Sequence, residues 1–266
     1  MPRRPLPRPP LRSADPGPFD IIGDVHGCHE ELVTLLERLG YRREGESLHH
    51  TGGRRAVFVG DLPNRGPANV AVLRTVAGMV RRGSALYTPG NHCLKLRRVL
   101  SGEKSDPKGA TLTTLAELDA LEPAERDTVV AEFLSLCEKA PPYLILDSGR
   151  LVVVHAGIEA GMIGKVSEEI LRFVREGEVT GRTPEGRPIR RDWAAEYRGE
   201  ALVVYGHTPQ TGPRFVNNTV NVDQGCVYGG ALTALRYPER EAVSVKALRP
   251  YWPRPIMNVA MGTADS

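Results

Sequence analysis

Asp24 and His26 stand two residues apart in Gly23-Asp24-Val25-His26-Gly27, so on an extended backbone both side chains face one side and can grip one ion. Short polar blocks of similar make-up follow: Gly60-Asp61-Leu62-Pro63-Asn64-Arg65-Gly66, Gly90-Asn91-His92, His155-Ala156-Gly157 and Gly206-His207-Thr208-Pro209. Carboxylates, an amide oxygen and imidazoles without thiolate make a hard to borderline donor set, suited to Mn, Fe, Zn, Ni or Mg rather than Cu(I) or an iron–sulfur cluster. The donors Asp24, His26, Asp61, Asn91, His155 and His207 exceed what one tetrahedral ion needs, so two metals sharing a carboxylate is the economical reading. Arg65, next to the block's Asp61, would present a guanidinium fork to a phosphoryl group. Taken singly, each block also has a bland explanation, because Gly-flanked polar pairs after a strand are ordinary turn chemistry.

The blocks gain force from the elements before them. Short β-rich runs, Phe19 to Gly23, Arg55 to Gly60, Ala85 to Gly90, Leu151 to Gly157 and Ala201 to Gly206, each end in one. Ligands of open α/β sheets gather at the carboxyl ends of strands, where these five would deliver the donors together. Helical patterns lie between them, at His29 to Gly40, Pro67 to Gly83 and Ala124 to Ala140, the last stopped by Pro141 and Pro142. After Gly206, closely spaced strands with Gly-rich turns predict an antiparallel sheet. The expected fold is mixed, α/β with α+β character.

The 266 residues allow one large domain or two small ones, and a mean hydropathy of -0.28 without any run of 18 apolar residues excludes a membrane-spanning helix. Lys and Arg number 35 against 32 Asp and Glu, but residues 1–18 alone hold four Arg, one Asp and seven Pro. The remaining body is formally neutral, which gives no support to a broad nucleic-acid patch. Residues 1–18 read as a disordered Pro/Arg-rich leader without the apolar stretch of a secretory signal, residues 19–247 as the folded domain and 248–266 as a tail draped over it. The four cysteines are scattered singly, as expected for reduced thiols in the cytoplasm.

In order, GDVHG, GDLPNRG, GNH, HAG and GHTP resemble the signature of the calcineurin-like metallophosphoesterases, in the phosphoprotein-phosphatase branch. The resemblance implies a central β-sandwich of mixed sheets flanked by helices around a dinuclear metal centre. By motif, Asp24, His26 and Asp61 would hold one metal, and Asp61, Asn91, His155 and His207 the other, with Mn²⁺ the first expectation. Arg65 would bind phosphate oxygens, and His92 would protonate the leaving group. Residues 193–209 and 216–245 are similar to the phosphatase module of bacterial polynucleotide kinase-phosphatase, and GCVYGGALTAL also resembles the symmetrical diadenosine-tetraphosphate hydrolases. No GxxxxGK[ST] phosphate loop occurs, so a free-standing phosphatase without kinase or ligase is expected.

This chain departs from the pattern at two places. Asn64 stands where the family usually has Asp, which removes the carboxylate expected to orient His92; its carbonyl could still accept a hydrogen bond from the ring. Cys93 stands where Glu or Asp usually follows GNH. The loop Arg182 to Trp193 carries Arg187, Arg190 and Arg191, which could cover the site and contact substrate phosphate or base. The leading expectation is a phosphoesterase using metal-activated water on small phosphorylated substrates or nucleic-acid ends, namely phosphomonoesters or 2′,3′-cyclic phosphodiesters of nucleotides or RNA. Rival readings are a serine/threonine protein phosphatase, a symmetrical dinucleoside-tetraphosphate hydrolase and, outside catalysis, a weakened metal- or nucleotide-binding module.

Overall fold

The computed structural model describes residues 9–253, apart from 46, 104, 105, 185 and 187. Its centre is a pair of mixed six-stranded sheets. In the first, the hydrogen-bonded order is Asp223–Gln224, Ala231–Tyr237, Phe19–Ile22, Arg55–Phe58 and Ala85–Tyr87, with Glu241–Lys246 also paired to Ala231–Tyr237. In the second, the order is Leu11–Arg12, Leu144–Leu146, Leu151–Val153, Leu202–Tyr205, Thr219–Asn221 and Arg214–Val216.

Strand alternation sorts side chains between layers. Phe19, Ile21 and Val57 of the first sheet meet Leu151, Val153 and Val204 of the second in one fully buried cluster between the sheets. The opposite faces carry Ile22 and Phe58 on one side and Val152 and Val203 on the other. Helix His29–Leu39 covers the first of these with Leu32, Leu35, Leu36 and Leu39, an i, i+3, i+4, i+7 stripe. Helix Glu168–Glu176 covers the other; Ser167 Oγ caps it by accepting from Ile170 N–H at 3.1 Å.

The expected central strands, and helices close to the expected bounds, are present, so the fold is the anticipated mixed sandwich with flanking helices. Two expectations shift. The strands after Gly206 do not form one antiparallel sheet: Thr219–Asn221 runs parallel to Leu202–Tyr205 in the second sheet, whereas the hairpin Ala231–Tyr237 and Glu241–Lys246 joins the first. The leader reading also ends too late. Leu11–Arg12 pairs in parallel with Leu144–Ile145 at a sheet edge, where a Pro-flanked segment is tolerated because only one side must hydrogen-bond. Residues 1–8 lie outside the described part. At the other end, Leu248 N–H and Tyr251 O–H donate to Glu31 Oε1 at 3.0 and 2.9 Å, laying residues 248–253 against the first helix. The rest of the tail, from 254, is also outside the described residues.

Candidate active site

All five polar blocks meet at one end of the sandwich. Asp24, Asp61 and Asn91 follow strands of the first sheet; His155 and His207 follow strands of the second. The backbone is forced there: His26, Asp61, Asn64, Arg65 and His207 all have positive φ, between 39° and 78°. Such conformations are costly for non-glycine residues and concentrate where surrounding structure fixes a side chain for a task.

Asp61 is the hub. Its Oδ1 accepts from the His92 backbone N–H at 2.8 Å, and its Oδ2 lies 3.7 Å from His26 Nε2 and 3.4 Å from His155 Nε2. His26 Nδ1–H donates to Pro63 O at 3.0 Å and His155 Nδ1–H to Val59 O at 3.1 Å, which turns the Nε2 lone pair of each ring into the site. His155 Nε2 is also 3.1 Å from Asn91 Oδ1 and 3.1 Å from His207 Nδ1. Lone pairs therefore face lone pairs around Asp61, an arrangement that only cations, protons or metal ions, can relieve. Donor atoms of His26, Asp61 and His92, and again of Asp61, His155 and His207, lie within 4.8 Å of one another. Asp24 is buried beside them, accepting from His207 N–H at 3.2 Å.

Charge in the cluster points the same way. Burial raises Asp24 well above the ordinary carboxylate range, with the charge of Asp223 adding to it. Burial also opposes ionisation of Asp61, but the charges of His155 and His92 outweigh it and hold this carboxyl well below that range. His155 is pushed up to about 9, because Asp61 and Asp24 overcome the burial that would lower it. Burial lowers His207, and the charges of His155 and Arg190 add to this.

Arg65 bridges the outer edge. Its Nη1 lies 2.6 Å from His26 Nε2, its Nη2 2.8 Å from His92 Nε2, and its guanidinium sits over the Tyr228 ring at 5.4 Å. Asn64 touches His92, but not by its carbonyl. Thr114 Oγ1–H occupies Asn64 Oδ1 at 2.8 Å, so the Asn64 amide N–H points at His92 Nδ1, 3.1 Å away. The expected acceptor is thus a donor, because a threonine from the helix Thr111–Asp119 claims the oxygen. Cys93 is fully buried, its Sγ accepting from Leu62 N–H at 3.4 Å, and burial raises its thiol far above the ordinary value.

The arginine loop divides. Arg191 is surrounded by Glu159, Glu178 and Glu196 and is not available to a phosphate. Its triple pairing corrects the substrate contact expected of it, since three carboxylates compensate the charge locally. Arg190 is half-buried, its Nε donating to Glu176 O at 2.9 Å. Arg187 lies outside the described residues. The loop's closing residue, Trp193, donates from Nε1 to Ala156 O at 3.2 Å and packs on Gly157, where a Cβ would fall 2.3 Å from that nitrogen. It thereby buttresses the turn that carries His155.

Sequence reasoning overlooked Thr113, Thr114, Tyr228 and Asp223. Thr113 Oγ1 accepts from Arg65 N–H at 2.9 Å, and Thr114 holds Asn64. Only Asp223, in the Asp223-Gln224-Gly225 turn, carried a signal of the kind that marked the other blocks.

This strand-end cluster of carboxylates, imidazoles and arginine defines a metallophosphoesterase: residues 17–241 match the calcineurin-like phosphoesterase family model, and the chain belongs to that family. Curated relatives include the bis(5′-nucleosyl)-tetraphosphatase PrpE [asymmetrical] of Bacillus subtilis strain 168, 50% identical over 234 residues, covering 88% of this chain and 96% of the relative. The protein of the same name from Anoxybacillus flavithermus is 49% identical over 234 residues, covering 88% and 96%. In fold, the chain is similar to a crystal structure assigned as a diadenosine tetraphosphatase, with TM-score 0.64 and 23% identity over 90% of this chain and 99% of that one. A Saccharomyces cerevisiae serine/threonine phosphatase similar to human PP5 superposes with TM-score 0.57 and 11% identity, covering 90% and 84%. The chain is accordingly a phosphate-ester hydrolase whose candidate ligand clusters suit the dinuclear divalent-metal centre of its family. No helix among the described residues is long and apolar enough to cross a membrane.

Proposed function

We propose that this hydrolase acts on dinucleoside tetraphosphates and cleaves them asymmetrically, to a nucleoside triphosphate and a nucleoside monophosphate. The relatives' names support this substrate over the RNA ends first expected, and asymmetric over symmetric cleavage. The observation that carries the chemistry is the convergence of carboxylate and imidazole donor atoms around Asp61 from both sheets.

Asp24, His26 and Asp61 would hold one divalent ion, and Asp61, Asn91, His155 and His207 a second, with Mn²⁺ favoured by the mixed oxygen and imidazole, thiolate-free donors. When bound, the ions activate water and neutralise charge on phosphate. The chain's own residues do the rest. Arg65, whose Nη1 and Nη2 now face His26 and His92, would turn its guanidinium fork to non-bridging phosphate oxygens. His92 borders the same space, with burial holding its pKa well below the ordinary imidazole value, and would serve as acid only for a poor leaving group and once its ring has taken up a proton. Asn64 fixes the plane of that ring from its Nδ1 side. The four free, buried cysteines suit a reducing cytoplasm.

Diadenosine tetraphosphate, a 2′,3′-cyclic nucleotide, an RNA 3′-phosphate and a phosphopeptide are compared under Mn²⁺, Mg²⁺, Ni²⁺ and chelator, with products resolved by ion exchange. ATP plus AMP is the expected outcome. Two ADP, or faster turnover of any of the other substrates, overturns the substrate assignment, and full activity in chelator after metal stripping overturns the metal assignment.

A further inference from the structure

We propose that Arg98, Arg175 and Arg190 form a polyphosphate-binding subsite beside the metal-ligand cluster, taking the phosphates beyond the one attacked. The proposal rests on the polyphosphate reading above and adds the residues that select such a chain over a single phosphate.

Three elements deliver these arginines. Helix Asn91–Leu100 begins at the candidate ligand Asn91, and Lys95 and Arg98 follow it at i+4 and i+7, on the same face. Helical side chains lean toward the N-terminus, so this pair tilts back toward the site from one and two turns away, about 6 and 10 Å along the axis. Arg175 belongs to helix Glu168–Glu176. The carbonyl of its neighbour Val174 accepts from Ala156 N–H at 2.9 Å, which ties this turn of helix to the loop of His155. Arg190, from the strand Pro188–Arg190, is pinned to the end of that helix through Glu176 O.

Among the described residues none of the three forms a close ion pair, although the charges of Glu168 and Glu176 act on Arg175 and that of Glu176 on Arg190, and Arg98 is exposed. Arg97 is held by Glu103 at 2.9 Å and Arg191 by three glutamates. Arg175 Nε is out of water without a hydrogen-bond acceptor among the described residues. An orphaned buried N–H costs stability unless something fills it. Burial lowers the Arg175 pKa; the charges of Arg98 and Arg97 add to the effect and those of Glu168 and Glu176 oppose it, so like charge outlasts its local compensation here. A polyanion removes that repulsion and supplies the missing acceptors, whereas orthophosphate seated on Arg65 is too short to reach both. Guanidinium forks suit successive phosphoryl groups, each offering two free oxygens.

The test uses the Mn²⁺-loaded full chain hydrolysing p-nitrophenyl phosphate at fixed free Mn²⁺, with inorganic tripolyphosphate and orthophosphate as competitive inhibitors. In the unaltered protein, tripolyphosphate should inhibit at concentrations at least about tenfold lower than orthophosphate, the scale of one charge-assisted hydrogen bond. Arg98→Gln and Arg175→Gln should each shrink that ratio several-fold and the double substitution should abolish it, while Arg175→Lys should restore part. Arg240→Gln, in the turn at the opposite end of the first sheet, removes equal charge and should preserve the ratio. A ratio unchanged in the double variant, or equally reduced by Arg240→Gln, overturns the subsite. Diadenosine tetraphosphate separates the two readings. If it is not hydrolysed but the ratio still collapses, the subsite stands without that substrate; if it is hydrolysed and the ratio is unaltered, the subsite alone falls.

Discussion

Alanine at Gly90 isolates the role of Asp61 without touching a ligand. Gly90 has φ -86° and ψ 176°, which any residue adopts, so the substitution carries no backbone strain. A Cβ there would fall 2.1 Å from Asp61 Oδ1 and 2.6 Å from Asp61 N, where ordinary contact begins at 3.4 Å. The carboxylate has to retreat by about 1.3 Å, and it cannot do so while keeping its 2.8 Å bond from His92 N–H. A misplacement of about 1 Å in an active site costs on the order of 10²-fold in rate. Overpacking of this kind costs about 1–3 kcal/mol of stability, so the protein should still fold. Turnover of p-nitrophenyl phosphate and metal content by atomic absorption are measured for Gly90→Ala, with Gly161→Ala, whose Cβ meets nothing within 4 Å, as reference. The expected result is at least a hundredfold loss of kcat/KM with less than two equivalents of metal retained. Activity within twofold of the parent would refute the argument that Asp61 bridges the cluster.

Asn64→Asp places a carboxylate oxygen where an amide N–H now faces His92, so it should raise turnover of an alkyl phosphate severalfold and do little for p-nitrophenyl phosphate or a phosphoanhydride, whose leaving groups scarcely need a proton; a fall in alkyl-phosphate turnover with metals bound would remove the support for His92 as acid. In chelator, the charges of Asp61 and Asp24 should hold His155 up at about 9 against an ordinary 6.5. Its folded value is the higher, so its contribution is complete below about 6.5 and lost as pH rises through about 9; the thermal midpoint of stripped protein should decline across that window, and saturating Mn²⁺ should flatten the decline. Deleting residues 1–17 removes four backbone hydrogen bonds from the second sheet's edge, between Leu11, Ser13, Asp15 and the Tyr143–Ser148 segment. At about 0.5–1.5 kcal/mol each, that should cost about 2–6 kcal/mol in urea titrations while p-nitrophenyl phosphate turnover stays within about twofold.

The ligand blocks were legible because each is a strand end marked by glycine, and residue type alone announces donor chemistry. The sandwich followed from the alternation of β-rich runs and helices. The sheet joined by a given strand was not legible: Thr219–Asn221 and Ala231–Tyr237 look alike locally, and only long-range pairing sends them to different sheets. Pro-rich composition correctly implied extended chain at Leu11–Arg12, but composition does not register that an open edge waits beside Leu144. Thr114 and Arg175 were invisible for a related reason. A lone threonine or arginine on a helix becomes part of a site only through what the fold sets against it, 50 residues away in the case of Thr114 and Asn64.

Because Asp24, Asp61 and Asn91 leave one sheet and His155 and His207 the other, the donor cluster is also a seam. The His155 ring crosses it to reach Val59 O, and the Asp24 carboxylate crosses back to His207 N–H. Of the two proposed ligand sets, the one formed by Asp61, Asn91, His155 and His207 draws on both halves of the chain, so affinity for that ion and the mutual alignment of the two halves would rise and fall together. A descendant that surrendered its ligands one by one would slacken its own architecture at each step, and would need new packing along this seam before it could persist as a mere binding protein.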